Sequence, residues 1–525
     1  MGNAISVAGE ETFREQKEEV KTVAGRGTFG ERKKKVKNAR KKFRKKRLAE
    51  AVEQVVWGCV SDDVSNRLSP LITLADERGE REQAVASQVQ PLRARLEQAL
   101  RDFGKIPDPR RPKSIKHKLN TLFLYGLLSC IFQMASRREA NRDMSRPAFL
   151  AALQGLFPEL ETLPHADTLA RLLARIDPAD LEKVHIELLR SYIRDKKFRR
   201  YLINKCYPIA VDGTQKLVRE GSLWGEEWPE RHFDTKDGVK VQQYVYVLEA
   251  NLVFHNGLTI PVLSEFLSHT ETEPDDRKQD CELKAFKRLA ERLNKHFPRL
   301  PAMILFDGLY ANGPLISLCR KYNWQYMIVL QDKCLPSVWD KVQVPEEGGK
   351  RKEREWRGRR QQFYWVNHID YTYDGNKNVV VHVVVCEESW QEVNAETGET
   401  EDKHSRHAWV SSKPLTKRNV HERCNLGARW RWGIENSMHT EKHRGYYYEH
   451  PYSYNWNAMR GHHCLMRMAH MFNALAEHTK QGARFIRELG IQAFRRFVRE
   501  TMSGLWLKPE WMAELLTRPF QLRLE

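Results

Sequence analysis

From about residue 204 onward, short apolar runs of strand character alternate with apolar positions spaced as on a helix. Tyr207–Val211 is an apolar run that ends at Asp212. Tyr244–Phe254 and Leu258–Phe266 are β-rich and joined by His255-Asn256-Gly257, and Asn-Gly is a strong hairpin signal. Leu283, Phe286, Ala290 and Leu293 then recur on one helical face. Ala302–Phe306 reads as a fourth strand, ending at Asp307. A helix opens near Gly313-Pro314, with proline suited to its first turn, and a fifth strand runs from Trp324 to Leu330. The predicted order is βββαβαβ.

The flanks have other patterns. Residues 1–105 form a basic N-terminal arm, polar and disordered over the first 30 or so and built of long charged helices after that. Pro107-Asp108-Pro109-Arg110-Arg111-Pro112 breaks the chain, and 106–200 reads as a compact helical domain. Its apolar helix over 116–135 is followed by Arg137, Arg138 and Arg142, and Asp167 or Thr168 could cap a later helix. Such basic short helices suit either a DNA-binding domain or a purely structural bundle. The first part of the core occupies 201–334, and a β-rich insertion occupies 335–415. Within the insertion, Gln362–Ile369 and Val379–Cys386 are strands that turn at Asp374-Gly375. A core helix lies in 416–450, and a helical C-terminal region in 451–525. The class is α/β, and the element order is that of a ribonuclease-H-like catalytic core, flanked by helical N- and C-terminal regions.

Charge adds a partner to this outline. The 525 residues carry a net charge of +19, and the sequence pI is about 9.4. Both suit a polyanion. Arg32–Arg47 holds 12 Lys/Arg and no acid, which fits a solvated arm or a phosphate-tracking one. Lys350–Arg360 holds seven Lys/Arg against two Glu. The nine cysteines include no C-x-x-C pair, which argues against a zinc site or a disulfide framework and for a reducing compartment. The apolar run Leu122–Phe132 is too short to span a bilayer, and no secretory signal is visible. The expected location is cytoplasmic, with no membrane partner.

The candidate chemistry is a set of three acids. Asp212 and Asp307 end adjacent strands, and Glu435 lies in the helical stretch Arg429–Lys442. Three converging carboxylates offer the hard oxygens that magnesium prefers, and two such ions can clamp a phosphodiester during in-line displacement. Arg431, Glu435, His439 and Lys442 share one helical face. A carboxylate flanked by cations is also the pattern of an ordinary salt-bridge ladder, and an Asp at a strand end is often a turn residue. The order of the three acids in a basic chain favours the catalytic reading.

At these residues the chain resembles the DDE transposases of bacterial insertion sequences, and in particular insertion-sequence family four. That group's signature, Tyr-x2-Arg-x3-Glu-x6-Lys, is met by Arg431-x3-Glu435-x6-Lys442, while Ala428 stands where the signature has Tyr. Asp212-Gly213 and Asp307-Gly308-x-Tyr310 are similar to the family's other acidic motifs, and the β-rich insertion lies where the family has one. The resemblance covers roughly residues 115 to 475. It implies that Asp212, Asp307 and Glu435 bind two Mg²⁺ or Mn²⁺ ions and catalyse cleavage at transposon ends and strand transfer into target DNA. It implies that Arg431, Lys442 and His439 contact DNA, and that a Trp of the insertion stacks on a flipped base. Trp409 is a candidate for that role, or else a core aromatic. The implied partners are double-stranded DNA (terminal inverted repeats and target) and a second copy of the chain in a homodimeric DNA complex, in the nucleoid-associated cytoplasm of a bacterium. Two alternatives stand beside it: a ribonuclease-H-fold nuclease or junction resolvase, and a domesticated transposase acting only as a DNA-binding protein.

Overall fold

Helix α1 (Leu74–Phe103) buries Val85, Val89, Leu92, Leu96, Ala99 and Phe103, a stripe with the spacing of one helical face. It stops before the predicted Pro-rich break. The structure, a computed structural model, describes residues 71–221, 224, 228–235, 238–267, 281–342, 351–393 and 399–525. The expected polar segment and the charged arm up to residue 70, Arg32–Arg47 included, lie outside the described residues. The chain divides into two units, Met1–Glu77 and Arg78–Glu525. Every described strand belongs to the second unit.

The predicted helical segment contains α2 (Leu119–Ile131), α3 (Arg137–Met144), α4 (Pro147–Leu156), α5 (Ala166–Leu173) and α6 (Pro178–Arg194). α2 is apolar nearly all round because residues Thr121 to Leu128 are all buried. Neither Asp167 nor Thr168 caps α5. The cap is His165, whose ring nitrogen accepts from the Asp167 amide at 3.2 Å. Asp167 instead places its charge in the first turn, where the helix dipole favours it.

The sheet begins with β1 (Tyr207–Glu220), which runs well past Asp212 instead of ending there. After the last parallel neighbour is left behind, β1 continues by pairing with β3 (Gly238–Val253) up to Glu220↔Gln242. A strand that the apolar pattern did not announce, β2 (Glu230–Thr235), pairs with the first half of β3. β4 (Thr259–Phe266) pairs with its second half and completes the predicted hairpin, with Val253 opposite Thr259. Helix α7 (Glu282–His296), β5 (Ala302–Phe306), α8 (Gly313–Lys321) and β6 (Gln325–Val329) follow in the predicted sequence. β1, β5 and β6 are parallel neighbours. The local order is β4-β3-β1-β5-β6, with β4 and β2 sharing one edge of β3.

After the short helix α9 (Pro336–Trp339) come β7 (Arg351–Trp356), β8 (Arg359–Tyr373), β9 (Lys377–Val393) and β10 (Thr400–Ser411), paired antiparallel in turn. Asp374 and Gly375 turn between β8 and β9 at φ 46° and 79°, left-handed values that these two residue types tolerate. β10 also pairs with β6, Trp409 opposite Val329. The β-rich segment therefore extends the core sheet.

The chain returns through a π turn (Glu422–Gly427) and a 3-10 turn (Ala428–Arg431) to α10 (Trp432–His443). The helical stretch expected from Arg429 is thus α-helical only from Trp432. α11 (Trp456–Glu477), α12 (Lys480–Leu489), α13 (Ile491–Ser503) and α14 (Pro509–Thr517) end the chain. α11 is buried along most of its length and packs on α2, α6 and β4. Among the described residues no helix is long and apolar enough to cross a membrane.

Candidate active site

The parallel register of β1 and β5 brings the first two acids together. Ala210 pairs with Leu305, and two residues further along each chain stand Asp212 and Asp307. A step of two returns the side chain to the same face of the sheet, so both carboxylates emerge on one side at one level. Asp307 leaves the sheet and caps the 3-10 turn Gly308–Tyr310, accepting from the Leu309 amide at 3.0 Å.

α10 packs on β1 and β3 and carries Glu435 in its first turn. Arg431, just before the helix, joins the two elements. Its guanidinium lies 3.4 Å from Asp212 Oδ2 and 2.8 Å from Glu435 Oε1. The Arg431 side chain is only 8% exposed, its Nε has no hydrogen-bond partner, and the exposed ring of Trp432 covers its guanidinium. Burial pushes the Asp212 carboxyl up to about 6; Arg431 opposes this, and the charges of Glu435 and Asp307 add to it. The charges of Glu435 and Asp307 therefore bear on a largely buried Asp212, with one arginine to offset them. Among the described residues no group of three or more His, Cys, Asp or Glu is arranged to hold a metal ion. In this conformation Arg431 supplies the positive charge.

The other expected residues divide. Lys442 is largely buried and pairs with Glu449 at 3.0 Å, so its ammonium is directed to the far end of α10. His439 is exposed and lies against His443 in a tilted pair, with ring centres 4.8 Å apart. Trp409 lies on β10 as expected, but it is 4% exposed and packed in a core with Met303, Leu305, Met327 and Val384. It stacks on His407 and also lines a cavity of about 620 Å³ beside Asp307 and Arg431.

Sequence reasoning missed two groups. Glu282, at the start of α7, accepts from the hydroxyls of Tyr246 and Tyr310. It sits against the first acidic motif: a Cβ at Gly213 would lie 2.5 Å from Glu282 Oε1 and 2.6 Å from Tyr246, so a side chain there would have to displace both. Glu441, six residues after Glu435, is fully buried. It is paired with Arg467 at 3.0 Å and His470 at 2.6 Å. Arg467 also pairs with Glu249 on β3 at 2.9 Å, and Tyr448 donates to Glu249 at 3.0 Å. This network locks α10 to the sheet and to α11. No short-range signal marks it, because its members come from positions 249, 441 and 467.

A comparison with curated proteins finds no match. A family model described as DDE_Tnp_1-associated matches residues 100–189, the segment from the end of α1 into α6. The chain is thus a mixed α/β protein with helical N- and C-terminal regions, and the matched segment points to a DDE-type transposase family.

Proposed function

We propose that this chain is a DDE transposase, similar to those of insertion-sequence family four, that cleaves DNA at the ends of its element and joins them to target DNA. The observation that carries this reading is the juxtaposition of Asp212, Asp307 and Glu435 around Arg431, on a chain with a transposase-associated segment. The strand order β4-β3-β1-β5-β6, with a crossover helix between each parallel pair, supports a ribonuclease-H-like core.

The chemistry of the donors suits hard divalent cations: all three are carboxylates, and the charges of Glu435 and Asp307 weigh on Asp212, a burden that a cation would relieve. Asp212, Asp307 and Glu435 would hold two Mg²⁺ or Mn²⁺ ions, and such ions would supply Lewis acidity at the phosphodiester. Arg431 neutralises Asp212 and Glu435, and its fork is of the kind that can hold a phosphate in two hydrogen bonds. The Glu441–Arg467–Glu249 network sets the position of α10, and therefore of Glu435, against β1. Target and end DNA reach the site in a dimer of this chain, in the cytoplasm.

The test is nicking of a labelled duplex taken from the inverted repeats that flank the coding region, with and without Mg²⁺. Nicking by the intact chain, lost in Asp212→Ala, Asp307→Ala and Glu435→Ala while duplex binding persists, is the expected result. Full nicking by Asp307→Ala would overturn the assignment.

A further inference from the structure

A second feature lies at the other end of the helix that carries Glu435. An open groove of about 540 Å³ forms where three separate parts of the chain meet. The α3–α4 junction contributes Arg146, the end of α10 contributes His443 and Arg444, and α13 contributes Arg495, Arg496 and Arg499. Two acids, Asp143 and Glu500, also line it.

The arginines are of two kinds. Arg495 is buried and held by Glu477, and Arg499 pairs with Glu139 at 2.6 Å, so these two shape the wall. Arg146 is 57% exposed and pairs with Asp143 at 3.1 Å, and Arg496 is 74% exposed with a loose 3.9 Å contact to Glu500. Arg444 is exposed and has no acidic partner among the described residues. These three guanidinium groups are exposed and come together from three segments far apart in sequence, two of them resting on local acids and Arg444 on none. Tyr447 stands at the rim, 47% exposed and at φ 51°. An aromatic face beside a cationic track suits nucleic acid.

Distance ties the groove to the acids. Glu435 and His443 are eight residues apart on α10, about 12 Å along the axis. That is roughly three to four steps of a DNA strand. The exposed His439 lies between them.

We propose that this groove holds the sugar–phosphate backbone of the strand being cut, some three to four nucleotides from the scissile phosphate, with Arg146, Arg444 and Arg496 as its contacts. The inference rests on the DNA-cutting reading of the acidic site and deepens it. It gives the transposase-associated segment, through Arg146, a share in substrate binding. The contacts are to backbone, so they position the strand without reading its bases.

The experiment compares the intact chain with R146A/R444A/R496A, all three side chains being at the surface. Binding of a fluorescein-labelled duplex from the element's end is followed by anisotropy across a salt series, with melting temperature and Mg²⁺-dependent nicking measured on the same samples. The slope of log K against log salt is expected to flatten by about 0.9 for each phosphate that is no longer neutralised, up to about 2.7 for three. The melting temperature should stay unchanged, and R146K/R444K/R496K should recover the slope. An unchanged slope in the folded alanine variant overturns the groove, while normal nicking by the intact chain leaves the acidic-site reading standing. If the alanine variant melts early, the single change R444A is compared with R444K, and equal slopes in that pair overturn the groove as well. An intact chain that neither binds nor nicks the duplex overturns the underlying reading instead.

Discussion

Replacing Asp212 with Asn should stabilise the free protein while removing its activity. Burial, Glu435 and Asp307 together hold the Asp212 carboxyl at about 6 in the folded chain, above its ordinary 3.8, even with Arg431 beside it. A raised carboxyl means that the folded state disfavours the charge. Well below pH 3.8 the group is protonated in both states and costs nothing. Between pH 4 and 6 the unfolded chain ionises first and the penalty grows, and above pH 6 it is fully present. At about 1.36 kcal/mol per tenfold change in proton affinity, the difference amounts to about 3 kcal/mol. One-fifth of the side chain is exposed, so solvent screening lowers the expected value to about 2 kcal/mol. Asn keeps the shape and an acceptor for Arg431 but removes the charge. Denaturant unfolding of Asp212→Asn and the intact chain, at pH 4.5 and 8 in metal-free buffer, should show about a third of the full stabilisation at the lower pH and all of it at the higher one. Excess Mg²⁺ should then raise the stability of the intact chain at pH 8 and not that of the variant, since a ligand stabilises only the state that binds it. A variant less stable than the intact chain at pH 8, or an effect that does not change with pH, would refute the electrostatic account of this site.

Two further outcomes follow from the same geometry. Arg431→Ala leaves Asp212 and Glu435 without their cation, so thermal unfolding in metal-free buffer should show a loss of about 3 kcal/mol, and Mg²⁺ should restore more stability to this variant than it adds to the intact chain. Equal Mg²⁺ increments would show that Arg431 does not stand in for the metal. Glu441→Gln leaves Arg467 short of a partner in a fully buried network, and a destabilisation of about 3–5 kcal/mol is expected by chemical denaturation. A loss under 1 kcal/mol would show that the network does not clamp α10.

Much of the architecture was legible in the order of residues, because strands and helices announce themselves over short spans. The hairpin at Asn256-Gly257, the turn at Asp374-Gly375, the helix with Phe286 and Leu293 on its buried face and the strands ending near Asp307 and Leu330 all appear where local period and turn chemistry place them. Asp212, Asp307 and Glu435 could be singled out for the same reason: each follows or occupies an element with a clear period. What only the tertiary structure decided is pairing across long separations. β1 continues past Asp212 because β3 is there to receive it, and β10 joins β6 across eighty residues to make one sheet of core and insertion. Arg431 and Lys442 share a helical face in sequence, yet Arg431 is held by Asp212 and Glu435 while Lys442 is held by Glu449, a division that the helical face alone did not show. Glu282 and Glu441 read as ordinary helix-surface acids until packing brings two tyrosines to one and an arginine to the other. Local hydrogen bonding and apolar period fix where an element lies along the chain, but a buried charge takes its meaning from neighbours that only the folded chain supplies.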